Sequence, residues 1–368
     1  MITARTDVVG SLLRPPNLLR AREGLQRGQL NPWEFKRIED AAVDAAIGMQ
    51  ADAGLDVVTD GEMRRLSFQS QLTEVVEGFS DWDLDAFVWG DWYGDEQVGD
   101  KHIKRPPIAV LDRLRRRRFL SAEEFVYARG RTRRIVKVTL PSPSLFANFY
   151  DPGRSRGAYP SLDSFLADVA EILREEVDEL VRLGCRYVQL DAPHYPLVVD
   201  PAYRQFYDSR GWPAQRWLER GVELDNHVFG SHPSLTCGLH LCRGNQASRW
   251  LVAGGYDWLA QRVFPHVHAH RLLLEYDDQR SGGFTPLAAV PEDKTVVLGL
   301  VTTKTARQET VDELTMRIGQ ATRYVPLERL ALSPQCGFAT SILGNALSPA
   351  DQQSKLRTIV ATADRVWG

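Results

Sequence analysis

The sequence predicts a (β/α)8 barrel, an α/β fold in which eight parallel strands alternate with helices around one axis. Three observations favour this fold. Eight short apolar runs rich in β-branched residues recur along the chain, helical patterns lie between most of them, and 368 residues suit one large barrel with an insertion. Neither a repeat nor a flexible linker divides the sequence, so we expect a single domain over residues 1–368.

The predicted strands are apolar runs that end in polar or turn-forming residues. In chain order they are "DVVGSL" (7–12), "LDVVTDGE" (55–62), "RIVKVTLPSP" (134–143), "CRYVQLDAPHY" (185–195), "LTCGLHLCRGN" (235–245), "HRLLLEYDD" (270–278), "TVVLGLVTTK" (295–304) and "RLALSPQCG" (329–337).

The clearest helical patterns cover residues 161–184, 309–324 and 349–366. In the first, Leu and Val recur at three- and four-residue spacing, Ser161 is the expected N-cap and Gly184 the expected C-terminal glycine. The second has acidic residues in its first turn, and the third begins with Pro349.

Residues 80–133 interrupt the alternation of strands and helices. Their stretch "DWDLDAFVWGDWYGDEQVGD" is rich in Trp, Asp and Gly, and we expect an insertion between strands two and three, a β-hairpin that lengthens one side of the barrel mouth. The Trp-rich stretch is either a surface cover or a stacking surface for a planar donor. The basic run "RLRRRR" (113–118) is expected to form a solvated helix face.

Composition excludes several classes of protein. A net charge of −3, from 45 Lys+Arg and 48 Asp+Glu, gives no reason to expect a nucleic-acid or membrane partner. The N-terminus lacks the apolar core of a signal peptide, and no stretch approaches the ~18–20 apolar residues that span a bilayer. Four cysteines do not make a disulfide scaffold in 368 residues, so we expect a cytoplasmic protein with free or metal-bound thiols.

Polar residues cluster where the predicted strands end, which is where (β/α)8 barrels carry their chemistry. They are Ser11, Asp60, Glu62, Asp191, His194, His240, Cys242, Glu275, Lys304 and Cys336.

Among these residues is a candidate metal site. His240 and Cys242 are two apart on a strand and therefore point the same way, although this pair alone fits packing better than ligation. With Glu275 and Cys336 the set has four donors, and two thiolates with one imidazole favour zinc. The alternative for Glu275 is a structural acid that pairs with Arg243 or Arg280. Cys185 and Cys237 are expected to be packing residues.

Seven motifs in order resemble the cobalamin-independent methionine synthases, specifically their catalytic C-terminal barrel and its short single-barrel relatives. They are "VVGSLLRP", "VTDGEMRR", "LDAPHY", "HLCRGN", "LEYDDQRSGGF", "LGLVTTK" and "LSPQCGFAT". The resemblance covers nearly the whole chain, and "HLCRGN" and "SPQCGF" are closest to the single-barrel branch.

The resemblance implies a zinc-dependent methyltransferase that activates a thiol, homocysteine in this family, as a thiolate. The implied zinc ligands are His240, Cys242, Glu275 and Cys336, with Glu275 as a displaceable ligand. Gly10 and Ser11 match the turn that binds the carboxylate of homocysteine, and Glu62 and Asp191 match the acids that bind its ammonium. Arg14 is a further candidate for binding an anionic group, or it stabilises a loop at the rim.

Two departures put the methyl donor in doubt. Full-length synthases of this type have a second, N-terminal barrel that helps to hold the polyglutamate tail of methyltetrahydrofolate, and this chain has no such half. The family's proton-donating histidine after strand seven is also absent, because Thr303 and Lys304 stand there. Lys304 and His194 are the candidate replacement acids. Lys304 could instead be a lysine at the barrel rim that pairs with Asp278, and His194 could instead be a wall residue.

Three functions remain open on the sequence. The first is methionine formation from homocysteine with a folate or another methyl donor. A second is alkyl transfer to another thiol or from another electrophile, as in the epoxide-opening coenzyme M transferases. The third is a non-catalytic zinc- or thiol-binding protein. We expect a small thiol and a methyl or alkyl donor as partners, and the oligomeric state, including a homo-oligomer, stays open.

Overall fold

Parallel strands form the centre of the molecule in the computed structural model, which describes residues 2–104, 108–209 and 211–368. The strands in these residues are β1 (Val57–Val58), β2 (Val76–Phe79), β3 (Gly90–Trp92), β4 (Lys101–Ile103), β5 (Val110–Arg116), β6 (Ile135–Val136), β7 (Val138–Pro141), β8 (Tyr187–Asp191), β9 (Thr236–Leu241), β10 (Arg271–Glu275), β11 (Thr295–Val301) and β12 (Leu330–Pro334).

Six of these strands form one parallel sheet in the order β12-β11-β10-β9-β8-β7. At one edge, β1 pairs in parallel with β6, which lies one residue before β7. At the other edge, Thr6 forms a parallel bridge to Leu332 of β12. The register brings Asp191 opposite His240, so that the polar ends of neighbouring strands meet at one edge of the sheet.

Seven of the eight predicted strands are confirmed, and the first, residues 7–12, is wrong as a regular strand. Only Thr6, just before it, forms a bridge. The carbonyl oxygens of residues 8–10 instead accept hydrogen bonds from side chains of other segments, namely those of Lys137, Gln189 and Thr59. Because these side chains satisfy the backbone there, a strand ladder is not needed.

The α-helices of the described residues are α1 (Pro16–Gln26), α2 (Pro32–Ala53), α3 (Ser70–Val75), α4 (Asp85–Val88), α5 (Ala122–Arg129), α6 (Leu162–Arg182), α7 (Pro201–Ser209), α8 (Ala214–Phe229), α9 (Asp257–Val263), α10 (Val311–Ala321) and α11 (Pro349–Trp367). The three helices predicted most clearly are confirmed as α6, α10 and α11. Ser161 caps α6 in a capping box, and Gly184 follows that helix with φ +92°. None of the helices in the described residues is long and apolar enough to cross a membrane.

The segment predicted as an insertion, residues 80–133, contains the antiparallel pair of β3 with β4, and its strand β5 pairs antiparallel with β2, which lies just before the segment. The run 113–118 begins in β5, so the expected helix face there is wrong. Glu77 lies opposite Arg115 in the antiparallel register and binds both Arg115 and Arg117. Cross-strand acid–base pairing therefore neutralises part of the basic run.

The parallel sheet has different packing on its two faces. Its outer face joins the main hydrophobic core, to which α6 contributes Phe165, Val169 and Leu173. The other face carries a separate cluster of Leu273, Val297 and Ala331, which lie opposite one another on β10, β11 and β12. This second face also carries His240, which is opposite Leu273 in the register and has a polar site around it.

Candidate metal centre and adjoining cavity

Three of the predicted metal ligands lie together at the carboxyl ends of two strands. His240 is in β9, Cys242 follows the end of β9, and Cys336 follows the end of β12. Their ligand atoms lie within 4.8 Å of one another, and the two sulfur atoms are 3.9 Å apart. All three side chains are buried, and both cysteines are free thiols. Two thiols and one imidazole form a donor set that suits zinc.

The two thiols hold their protons unequally. A hydrogen bond from Cys336 and the nearby His240 lower the pKa of Cys242 to about 7, although burial acts in the opposite direction. The same contact, together with burial, raises the pKa of Cys336 well above its usual range. Both thiols must lose their protons to bind a cation, so cation binding at this site depends on pH.

A chain of buried hydrogen bonds orients His240. Its Nδ1 atom is 2.9 Å from Asp191 Oδ1, which also accepts a 2.7 Å hydrogen bond from Gln189 Nε2. Lys137 Nζ donates to Gln189 Oε1 at 2.6 Å and pairs with Asp7 at 2.8 Å. Because Asp191 Oδ1 already accepts the hydrogen bond from Gln189, it is the acceptor for His240 as well; the chain therefore places a proton on Nδ1 of His240 and makes Nε2 the candidate ligand atom.

The hydrogen-bond contact of His240 Nε2 within the described residues is a long one, 3.4 Å, to the carbonyl oxygen of Gln335. Burial lowers the pKa of His240, but Cys242 and Asp191 outweigh it and the pKa is raised. A cation bound at Nε2 would replace this long contact and leave the Nδ1 bond to Asp191 intact.

Glu275, the fourth predicted ligand, lies outside this group of three. Its Oε2 atom accepts a 2.6 Å hydrogen bond from the backbone N–H of Arg243, and Oε1 is 3.0 Å from Arg280. Burial opposes ionisation, but Lys304, Arg280 and Arg243 together lower the pKa of Glu275 to about 2. The carboxylate is therefore ionised. It contacts Arg243 and Arg280, the two arginines that the sequence analysis gave as partners if Glu275 is a structural acid.

Lys304 lies behind the metal-ligand group, beside Glu275. Its Nζ atom is 3.7 Å from Glu275 Oε1, and it is buried without a hydrogen-bond partner among the described residues. Asp278, its expected rim partner, pairs with Arg280. Lys304 is not among the described residues that line the cavity next to the cluster.

Glu62 lies at the cavity wall in a strained backbone conformation, with φ 54°. Its Oε1 atom accepts a 2.8 Å hydrogen bond from Thr139, whereas Oε2 is buried without a partner among the described residues. Burial raises the pKa of Glu62, although Arg65 and Arg14 lower it. A Cβ atom at Gly10 would lie 2.5 Å from Glu62 Oε1, so Gly10 leaves room for this carboxylate. Strained residues of this kind are common at functional sites.

Ser11 and Arg14 follow Gly10 but have different surroundings. Ser11 lines the cavity. A Cβ atom added at Gly337 would lie only 2.0 Å from Ser11 Oγ, so only glycine fits at position 337. The guanidinium of Arg14 donates to backbone carbonyl oxygens, including those of Glu62 and Ala339. Arg14 is not among the described residues that line the cavity, and these contacts match its alternative as a loop-stabilising residue.

His194 lines the cavity and is held from behind by a buried polar network. Its Nε2 atom is 2.7 Å from Ser144 Oγ, and Ser144 is 3.3 Å from Ser142, which donates to Asp225 at 2.7 Å. Burial lowers the pKa of His194 to about 3. The imidazole is therefore neutral near pH 7, which fits a wall residue better than a proton donor.

The cavity beside the cluster has a volume of about 920 Å³, including the part that is open to solvent. His240, Cys242 and Cys336 lie on its wall with Glu62 and Asp191. Trp89 and Trp92 of the Trp-rich stretch also line it. This stretch therefore contributes to the inner wall and is more than a surface cover.

Comparison with known sequences identifies the family. The family described as cobalamin-independent synthase, catalytic domain, matches residues 2–364. The chain belongs to this family. The resemblance inferred from the seven sequence motifs is thereby confirmed.

Named relatives of this cobalamin-independent synthase family member match it over most of their length. YxjH, an uncharacterized protein of Bacillus subtilis, is 31% identical over 366 residues, covering 99% of this chain and 94% of its own. A methionine synthase of Pyrococcus abyssi is 28% identical, covering 90% and 86%. A crystal structure of a Listeria monocytogenes protein described as a vitamin B12-independent methionine synthase has a TM-score of 0.70 at 25% identity, covering 100% and 98%.

Several residues around the site of this family member were not indicated by the sequence. Thr139 binds Glu62, Gln189 and Lys137 support Asp191, and Ser144 binds His194. Each lies within or just after a strand, where it is indistinguishable from core residues until its neighbours are known. Cys185 and Cys237 are in the hydrophobic core, as predicted.

Proposed function

We propose that this protein is a zinc-dependent thiol S-methyltransferase that converts homocysteine to methionine. One observation carries the proposal: His240, Cys242 and Cys336 share a cavity with two carboxylates, Glu62 and Asp191. A thiol amino acid has a soft sulfur at one end and an ammonium at the other, and this cavity has a match for each. Membership of the synthase family and a relative named methionine synthase support the same reaction.

The metal-ligand group fits zinc in its spacing as well as its chemistry. Two thiolates at ~2.3 Å from a tetrahedral zinc ion would lie roughly 3.8 Å apart, and the observed sulfur separation is 3.9 Å. In this proposal His240, Cys242 and Cys336 hold the ion, and Glu275 is the displaceable fourth ligand. Zinc bound at this site would lower the pKa of the substrate thiol and so keep the substrate sulfur as a nucleophilic thiolate.

The amino-acid end of homocysteine has partners on the same wall. Glu62 offers the unpartnered Oε2 atom to the ammonium. Asp191 has one oxygen engaged with His240, and its other oxygen is the second partner that we propose. Ser11 and the backbone N–H groups beside Gly10 are proposed to bind the carboxylate. These contacts hold the substrate sulfur toward the thiols and exclude water from the reacting end.

The same proposal includes the architecture and compartment predicted from the sequence. The parallel sheet, the β1–β6 pair and the Thr6–Leu332 bridge support a closed (β/α)8 barrel formed by one domain. In that barrel residues 80–133, which include the β3–β4 pair and β5, are the proposed insertion at its mouth. The cytoplasm is the proposed compartment because all four cysteines are free thiols.

The cavity does not favour the two alternative functions. A coenzyme M-type thiol ends in a sulfonate, yet no Lys or Arg is among the described residues that line the cavity. A non-catalytic metal-binding role does not account for Glu62, a strained and buried carboxylate that lines the same cavity as the thiols. A thiol carrying an ammonium accounts for both features.

Metal content and substrate binding test the proposal together. Elemental analysis should find about one zinc per chain, and calorimetry should detect homocysteine binding to the zinc-loaded protein. A Cys242→Ser, Cys336→Ser double variant should lose both. The matched control is Cys185→Ala, Cys237→Ala, which changes two core cysteines and should keep both. Equal zinc in the two double variants would contradict the assignment.

A further inference from the structure

The charges around the cavity exclude a polyanionic donor from its interior. Glu62 and Asp191 are on the wall, and no Lys or Arg side chain lines it within the described ranges. Arg14 binds backbone carbonyl oxygens behind the wall, and Lys304 lies next to Glu275. Phosphates or several carboxylates would find no cationic partner here, whereas a cation would meet a negative potential.

Aromatic rings form a large part of the cavity wall. Phe87, Trp89, Trp92, Phe149 and Tyr203 all line the cavity. Phe87 packs edge-on against Phe149 with ring centroids 5.7 Å apart, and Trp92 Nε1 donates a 2.5 Å hydrogen bond to a backbone oxygen. These contacts hold the rings in place. Fixed aromatic faces that surround a cavity are the recurring recognition site for onium cations.

Among the described residues that line the cavity, none is suited to protonating a departing amine. Buried His194 is neutral near pH 7, and its Nε2 atom is engaged with Ser144. Lys304 is directed toward Glu275 and is absent from the described lining residues. Glu62 and Asp191 are the proposed partners of the substrate ammonium. A donor whose leaving group departs without a proton matches this wall.

From these three features we propose that the methyl donor is a small sulfonium cation that binds against the aromatic wall; the inference rests on the proposed homocysteine methyltransferase function. The thiolate of homocysteine attacks the methyl carbon. A carbon–sulfur bond to homocysteine forms as the methyl–sulfonium bond breaks, and the electron pair of the broken bond stays on the departing sulfur. The products are methionine and a neutral thioether, and the step consumes neither proton nor oxidant.

The aromatic wall also favours this reaction electrostatically. A thiolate and a sulfonium neutralise each other as the methyl group moves, so the transition state carries less separated charge than the reactants. Water stabilises the separated charges more than the transition state, whereas an apolar cavity removes this advantage. Trp89 and Trp92 are therefore proposed as donor-binding residues that act by contact and by exclusion of water.

A comparison of donors tests the inference with the zinc-loaded protein and homocysteine. Trimethylsulfonium and S-methylmethionine are measured against 5-methyltetrahydrofolate and methylcobalamin. With trimethylsulfonium we expect methionine and dimethyl sulfide in equal amounts, at a kcat/KM at least about tenfold above that of the folate and the cobalamin. Faster turnover with the folate or with methylcobalamin overturns the sulfonium assignment and leaves the proposed methyltransferase function intact.

Failure with every donor has a different meaning. If homocysteine yields no methionine with any of the four donors although zinc and homocysteine bind, the proposed function fails and the donor inference fails with it. The two failures are therefore distinguishable.

Competition experiments separate recognition of the positive charge from recognition of shape. Choline and its neutral isostere 3,3-dimethylbutan-1-ol have the same branched head, so we expect choline to inhibit at an about tenfold lower concentration. Trp89→Leu and Phe87→Leu should reduce this preference and raise the KM for trimethylsulfonium. Trp33→Leu, which changes a tryptophan that is 82% exposed, is the control and should leave both unchanged. Equal inhibition by both compounds in the unaltered protein would count against a cation site.

Discussion

Asp191 Oδ1 lies 2.9 Å from His240 Nδ1, and the same oxygen accepts a 2.7 Å hydrogen bond from Gln189. The carboxylate therefore connects the candidate metal ligand to a buried chain that continues through Lys137 to Asp7. A histidine held in this way presents Nε2 with a fixed orientation, and the carboxylate makes the imidazole a stronger donor. Asp191 thus serves the metal-ligand group through His240 as well as facing the cavity.

Replacing Asp191 with Asn should weaken zinc binding. The amide keeps the size of the side chain but removes its charge, so we expect the Kd for zinc to rise by about 10- to 100-fold. Competition with a chromophoric chelator at constant pH measures this change. Asp225→Asn is the control, because Asp225 is a buried carboxylate that binds Ser142 and Tyr195, away from the metal ligands. An unchanged zinc Kd in Asp191→Asn would show that the His240 contact has no influence on the metal.

Glu62→Gln should separate substrate binding from metal binding. The variant keeps the zinc and loses the ionic contact to the ammonium, so we expect homocysteine to bind about 30- to 700-fold more weakly, or ~2–4 kcal/mol. In the unaltered protein, burial raises the pKa of Glu62, and only the ionised form pairs with an ammonium. Homocysteine affinity should therefore rise with pH as Glu62 ionises, and the variant should lose this part of the pH dependence while keeping the part that comes from proton loss by the substrate thiol.

Glu124→Gln is a matched control for Glu62→Gln, since Glu124 also contacts Arg65 but is not among the described residues of the cavity wall. Both variants are compared by calorimetry with homocysteine and by elemental analysis. Loss of zinc from Glu62→Gln alone would mean that Glu62 supports the metal and does not bind the substrate.

The sequence was sufficient for features that depend on local pattern. Ser161 at the start of α6 and the alternation of strands and helices follow from capping preference and hydrophobic periodicity. His240 and Cys242 were placed on one face of a strand by their two-residue spacing, and Cys336 joins them because parallel strands bring their carboxyl ends together.

Features that depend on neighbours distant in the chain were not predictable in this way. The motif places Glu275 at a strand end, but whether its carboxylate meets the metal ligands or Arg280 is decided by three-dimensional packing. The run 113–118 has the composition of a solvated helix, yet pairing with β2 makes its first residues part of a strand. Tertiary contacts override local preference in both cases.

His194 and Asp225, at the two ends of the polar network behind the cavity, should give opposite pH dependences of stability. Burial lowers the pKa of His194 to about 3, below its unfolded value of ~6.5. The unfolded chain therefore binds the extra proton, and this part of the stability is lost as pH falls below about 6.5. Burial raises the pKa of Asp225 to about 7, so the folded protein holds the extra proton and stability is lost as pH rises toward 7.

Between about pH 4 and 6.5 the two contributions cancel in the unaltered protein, each amounting to roughly 1 kcal/mol per pH unit. His194→Gln leaves the Asp225 contribution, so relative to the unaltered protein its free energy of unfolding should fall as pH rises. Asp225→Asn leaves the His194 contribution and should show the reverse slope. Urea unfolding at half-unit pH intervals measures both. Parallel stability curves for the two variants would mean that neither group titrates as its burial requires.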